Sequence, residues 1–191
     1  MNTPNSLVIG AAGGVGLQVT RQLAAAGHRV FGTVLNEAEA ALVRAEVPAI
    51  ELALLDLSDA DGIVAGLQPL LQKLEQRLDH VVVCAAISPY GPLETTPLAA
   101  LRRTLEINTL ANLAVYQACI PLLRESKGRL LLISSFAGKV ALPFIGHYST
   151  SKFALEGLAD VMRREAARWG VRIIVVEPGG IRTGMVSGQL A

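Results

Sequence analysis

Tyr148 and Lys152 stand four positions apart in Tyr148-Ser149-Thr150-Ser151-Lys152. On a helix that spacing puts both on one face, one turn apart. An ammonium beside a phenol favours the phenolate, so the lysine is expected to lower the tyrosine pKa from its reference of ~10. Such a pair could give and take a proton near neutral pH. The same spacing also occurs on solvated helix faces that do no chemistry, so its meaning depends on what surrounds it. Ser135 ends the apolar run 128–133 in Ser134-Ser135. In an open parallel sheet, ligands bind beyond the carboxyl ends of the strands, which makes Ser135 a candidate site residue; the alternative is a turn serine. Asn108 falls mid-helix on an apolar face. It is either a satisfied core amide or a functional group, because an unsatisfied buried amide costs roughly 1–3 kcal/mol.

A cofactor site can be read at the other end of the chain. The apolar run 6–9 leads into Gly10-Ala11-Ala12-Gly13-Gly14-Val15-Gly16, and an amphipathic segment through residue 26 follows, ended by Gly27. Strand, glycine turn and helix are the setting of a dinucleotide fingerprint. Glycines let the backbone turn tightly and approach a pyrophosphate, which the helix N-terminus stabilises. The motif reads two ways, through Gly10, Gly13 and Gly16 or through Gly10, Gly14 and Gly16. An acid at the end of the second strand would bind the ribose hydroxyls of NAD, and a base would accommodate the NADP phosphate. That end reads Leu35-Asn36-Glu37 and carries neither signature cleanly; Glu37 fits better as a first-turn helix residue. Asp56, closing the third strand with Leu57, is either a loop acid or a partner for the adenine amino group. Ala85-Ala86 after the fourth strand would let a cofactor lie close to the backbone.

Apolar runs at 6–9, 29–35, 50–54, 81–84, 128–133 and 171–176 predict six strands. Helices are expected between them: one capped by Asn36 to about 46, one from 58 or 59 to about 78 with a break or kink at Pro69, and a long one over 97–124 that Pro121 ends or kinks. The helix after Tyr148 carries Phe153, Leu155, Leu158, Ala159, Met162 and Ala166 as its apolar stripe and ends at Gly170. Alternation of strand and helix predicts an α/β fold, a doubly wound parallel sheet of Rossmann type in three αβα layers. No linker or repeat is visible, so residues 1–191 read as a single domain.

Of the 191 residues, 51% are hydrophobic and 17% charged, with a net charge of +1. That composition fits a large core and gives no electrostatic case for nucleic acid or an anionic membrane. Cys84 and Cys119 lie in apolar runs and read as buried free thiols of a reducing compartment. No Cys/His cluster has metal-ligand spacing, so no metal is expected. No signal peptide is visible and no apolar stretch reaches spanning length, so the cytoplasm is the expected location.

Together these motifs resemble the short-chain dehydrogenase/reductase family, over essentially the whole chain. The resemblance rests on Gly10, Gly14 and Gly16, which match the glycine turn of its "classical" subgroup. It rests also on Asn108 in Ile107-Asn108-Thr109, on Ser135 thirteen positions before Tyr148, on the Tyr148-to-Lys152 motif, and on Pro178-Gly179-Gly180-Ile181-Arg182-Thr183. It implies reversible hydride transfer between a nicotinamide cofactor, NAD or NADP, and a small-molecule secondary alcohol or ketone. Tyr148 would be the general acid/base. Lys152 would lower its pKa and hold the nicotinamide ribose, Ser135 would orient the substrate oxygen, and Asn108 would hold a water linking Lys152 to solvent. Cofactor contacts would come from Gly10, Ala12, Gly13, Gly14, Val15, Gly16, Asp56, Leu57, Ala85, Tyr148, Lys152, Pro178, Gly179, Ile181 and Thr183. The run from Tyr148 to Leu158 is similar to members acting on hydroxysteroids, which hints at a bulky lipophilic substrate.

Two departures from the family pattern stand out. Ile9 replaces the threonine expected before Gly10, removing a hydroxyl that would brace the turn, and Val83-Cys84-Ala85-Ala86 replaces Asn-Asn-Ala-Gly. The resemblance also implies a substrate loop and a seventh strand beyond residue 191, which this chain is expected to lack. The alternative is therefore a catalytically idle dinucleotide-binding or assembly subunit. Relatives pair through the two long helices, so a homodimer or homotetramer is expected.

Overall fold

Every apolar run enters one sheet. The computed structural model describes residues 3–74 and 77–181, with strands β1 Asn5–Ile9, β2 Arg29–Val34, β3 Glu51–Leu54, β4 His80–Val83, β5 Arg129–Ile133 and β6 Arg172–Val176. All pairings are parallel, in the order β3-β2-β1-β4-β5-β6. The connections run outward in opposite directions from β1 and β4, so the crevice between these two strands is the topological switch point where ligands bind. The helices are α1 Gly14–Ala25, α2 Glu37–Glu46, α3 Ala60–Leu71, α4 Leu98–Leu105, α5 Ala111–Ser126 and α6 Gly146–Ala166. α1 and α2 pack on one face of the sheet, around Val8, Val30, Val34, Ala40 and Val43. The larger core lies on the other face, where Leu7, Phe31, Val81, Leu130 and Leu132 meet α3, α5 and α6. This is the three-layer αβα architecture.

Helix ends follow the sequence signals. Asn36 accepts from Glu39 N at 3.0 Å at the start of α2, and Asp59 accepts from Gly62 N at 3.2 Å before α3. Gly27 and Gly170 stop their segments at φ +82° and +73°. Three expectations need correction. α3 passes through Pro69 but ends at Leu71, giving way to a short 3₁₀ turn, Gln72–Leu74. Pro121 does not end the long helix; α5 continues through it to Ser126, with Pro121 on its exposed side. The helix expected over 97–124 is not regular, because one π-turn, Glu106–Leu110, separates α4 from α5. The extra residue lets both Asn108 and Thr109 face α6, where each bonds Ser151, at 3.0 and 2.9 Å.

The stripe on α6 also differs at one end. Leu155, Ala159, Met162 and Ala166 are buried, but Phe153 is exposed and lines an open hollow of about 600 Å³ with Leu93, Leu142 and Pro143. Phe153 lies a quarter-turn or more from Tyr148 and Lys152 around the helix, so this hollow is on a different side of α6 from the pair.

Candidate active site

Gly10 ends β1 at φ +79°, a backbone state that side chains resist. A Cβ on Gly16 would collide with the Gly10 carbonyl oxygen, so the turn can close only with glycine at both places. Both readings of the motif share these two residues, and Gly13, at φ −65°, has room for a side chain. Gly13 and Gly14 are exposed at the start of α1, which carries neither a side-chain cap nor a first-turn acid. Its first N–H groups are thus left for an anion. Ala12 and Val15 are half-buried in the same turn, and Ala85 packs across the crevice so tightly that a Cβ on Gly10 would stand 2.6 Å from its methyl. This glycine cradle facing small residues fits a dinucleotide.

The hydroxyl missing at Ile9 is supplied from the next strand. Ile9 pairs with Thr33 on β2. The Gly10 N–H donates to Thr33 Oγ1 at 3.2 Å, and the Ala11 N–H donates to Thr33 O at 2.8 Å. Sequence reading could not find this brace, because it depends on the register between two strands.

At the end of β2, Glu39 Oε2 accepts from the Leu35 N–H at 2.8 Å, and Glu37 stands in the first turn of α2, 3.7 Å from Arg44. Both carboxylates have local partners, so neither marks this end for NAD. Asp56 is exposed and accepts from Ser58 N at 2.8 Å; that bond holds its carboxyl below the usual range. The loop role is therefore present, and Leu57 beside it turns its side chain into the core.

Beyond β5 and β4, the predicted tetrad comes together. Ser135 caps a 3₁₀ turn, Phe136–Gly138, accepting from Ala137 N at 3.1 Å. Its hydroxyl acts on the Tyr148 phenol, favouring the ionised form. Lys152 is buried, donates to Ile133 O at 2.8 Å, and sits 5.5 Å from the Tyr148 ring centre. Asn108 is fully buried. Its amide donates to Ile87 O at 2.8 Å and to Ser151 Oγ at 3.0 Å, and accepts from Ile87 N at 2.9 Å. Ser151 Oγ in turn donates to Tyr148 O at 2.7 Å. Asn108 thus ties the loop after β4 to the helix carrying Tyr148 and Lys152. Ser151, between the two, is a hub that the sequence reading passed over; its place three residues after Tyr148 was the available signal.

The expected effect of Lys152 on Tyr148 is not what the chain alone displays. Burial raises the Tyr148 pKa, and Ser135 only partly opposes it. Burial likewise pushes Lys152 down from 10.5 to about 8, against the pull of Glu156. The ammonium is directed at the Ile133 carbonyl, so its field is partly taken up there. Cys84 and Cys119 are free, and burial pushes both thiols up to about 12, as inert core cysteines. Pro178 lies beside the serine loop, its carbonyl accepting from Phe136 N at 2.9 Å, with Gly179 and Ile181 exposed after it. Thr183 lies outside the described residues. Among the described residues, no group of three His, Cys, Asp or Glu could hold a metal, and no helix is long and apolar enough to cross a membrane.

Residues 5–190 match the family model for short chain dehydrogenase. The chain is 30% identical over 185 residues to the NADPH-dependent 3-dehydrocapnine reductase of Ornithobacterium rhinotracheale, covering 93% of this chain and 65% of that protein. It is 33% identical over 183 residues to the 17-beta-hydroxysteroid dehydrogenase type 6 of Homo sapiens, covering 94% of this chain and 57% of that protein. Among solved structures, a short-chain dehydrogenase from Streptomyces avermitilis superposes with a TM-score of 0.87 at 32% identity, covering 96% of this chain and 68% of the other. The chain therefore spans about 57–65% of the length of these curated relatives.

Proposed function

Because the chain belongs to the short-chain dehydrogenase family, we propose that it is an NAD(P)-dependent oxidoreductase interconverting a secondary alcohol and a ketone. One observation carries the reading: Tyr148, Lys152 and Ser135 converge beyond β5, on the crevice side that also holds the glycine cradle. The cofactor supplies the hydride chemistry when bound. The chain's own residues handle the proton. Tyr148 gives it to the substrate oxygen in reduction or takes it from the alcohol in oxidation, a contribution of typically ~10²–10⁴-fold. Ser135 holds the substrate oxygen beside that phenol. Lys152 stabilises the phenolate and contacts the ribose. Asn108, with its amide groups engaged, would hold the linking water through the second lone pair of Oδ1 or of its carbonyl.

Gly10, Ala12, Gly13, Gly14, Val15 and Gly16 would cradle the pyrophosphate. Asp56 and Leu57 would border the adenine, Ala85 the ribose, and Pro178, Gly179, Ile181 and Thr183 would border the nicotinamide half. A relative named as NADPH-dependent supports the cofactor class, NAD or NADP. A relative named as a hydroxysteroid dehydrogenase supports a bulky lipophilic substrate. So do the stacked rings of Tyr90 and Phe144, 5.8 Å apart. Exposed Leu98, Leu110 and Phe153 on the helices expected to pair support a homodimer or homotetramer, which light scattering of the purified chain decides. Two free, inert thiols fit the cytoplasm.

The reading is tested by titration with NADH and NADPH, then by following cofactor oxidation across small and steroid-sized ketones. Binding with turnover, fastest on the bulky ketones, is expected. Binding without turnover on any ketone would contradict it and favour the idle subunit.

A further inference from the structure

Lys152 is a buried cation whose nearest acceptor is a neutral carbonyl, Ile133 O at 2.8 Å. One turn further along α6, on the same face, stands Glu156. Its side chain is only 14% exposed. Oε2 is held by Lys139 Nζ at 3.0 Å, while Oε1 is buried with no protein partner. The stem of Glu156 fits over Gly138: a Cβ there would stand 3.2 Å from Glu156 Cγ and 3.2 Å from the Lys152 carbonyl oxygen. Lys139 also reaches Glu177 Oε1 at 3.4 Å, just beyond β6. The carboxylate is thus fastened to the loop that carries Ser135, with one oxygen left over on the inner side.

We propose that Glu156 is a positioning residue that keeps Lys152 in its ammonium form, acting as its counter-charge, and that Lys139 sets how much of that charge Lys152 feels. This rests on the reading of Lys152 as part of the acid–base centre. The ionisable groups around Lys152 are Tyr148 and Glu156 on α6, Lys139 after the serine loop and Glu177 after β6; β5 and the π-turn offer the neutral Ile133, Ser134 and Asn108. Glu156 is the charge that acts on Lys152, and it opposes the effect of burial. A buried carboxylate oxygen without a partner is otherwise unfavourable, which calls for a charge of opposite sign close by.

The test is an NMR titration of the Lys152 side chain in the ligand-free full chain, its signal assigned by its loss in Lys152→Met. Glu156→Gln removes the counter-charge and is expected to lower the Lys152 midpoint by roughly one pH unit. Lys139→Met removes the competitor and is expected to raise it. Glu156→Asp restores the wild-type midpoint in part. The opposite signs separate an electrostatic role from loss of packing, and Lys139→Met, at an exposed position, keeps the test available should Glu156→Gln fold poorly. Midpoints unchanged in both variants, or moved in the same direction, overturn the proposal. The alkaline limb of the turnover profile should follow the midpoint. A wild type without turnover would overturn the oxidoreductase reading instead, while the titration still decides the role of Glu156.

Discussion

Lys152 holds its proton less tightly in the folded chain, at about 8, than its ordinary 10.5. The unfolded chain therefore binds more protons between these values, so stability rises with pH across that window. Below pH 8 the full penalty applies, at most about 3 kcal/mol from the size of the shift. Lys152→Met is expected to raise Tm by several degrees at pH 7, and the difference should shrink as the pH passes from 8 to 10.5. Differential scanning at several pH values checks this; a lower Tm at pH 7 would mean that the bond to Ile133 outweighs the burial. Thr33 is the residue whose role no motif reveals. Thr33→Val keeps the shape and removes the donor's partner at Gly10 N. One net hydrogen bond of ~0.5–1.5 kcal/mol predicts roughly two- to tenfold weaker binding of NADPH, recovered in Thr33→Ser. Equal affinity in Thr33→Val, measured by fluorescence titration, would remove Thr33 from the site.

The elements were legible because their signals are local. Six apolar runs became six strands, Asn36 and Gly170 marked helix ends, and the Gly10–Gly16 turn demanded its own strand and helix. What escaped was set by contacts between elements. The π-turn at Glu106–Leu110 exists to aim two neighbouring polar side chains at Ser151, and nothing in Ile107-Asn108-Thr109 alone announces that partner. Phe153 suits an apolar stripe by spacing, yet the face of α6 it occupies is not covered. Asn108→Ala tests the tie between the β4 loop and α6. It strips Ile87 N, Ile87 O and Ser151 Oγ of a partner, so a loss of about 2–4 kcal/mol and a Tm lower by roughly 5–15 °C are expected. A change of under about 1 kcal/mol in chemical denaturation would show that water replaces the amide fully.

At the scale of the whole molecule, the parallel sheet places the glycine cradle, the Asn108 tie and the Ser135–Tyr148–Lys152 group along one rim, at the carboxyl ends of β1, β4 and β5. Family membership was legible from motif spacing, whereas the charge balance of the site was not. Lys152 was expected to lower the Tyr148 pKa, but burial of both groups dominates in the chain by itself. Under the proposed function the proton still belongs to Tyr148, whose phenol is the acid that Ser135 acts on and so stands where a substrate oxygen would be held. Tyr148→Phe removes that proton alone. With NADPH and the best ketone of the panel, single-turnover cofactor oxidation in Tyr148→Phe is predicted to fall by about 10²-fold or more, with NADPH affinity changed less than about threefold. Oxidation within a few-fold of the wild-type rate would contradict the account.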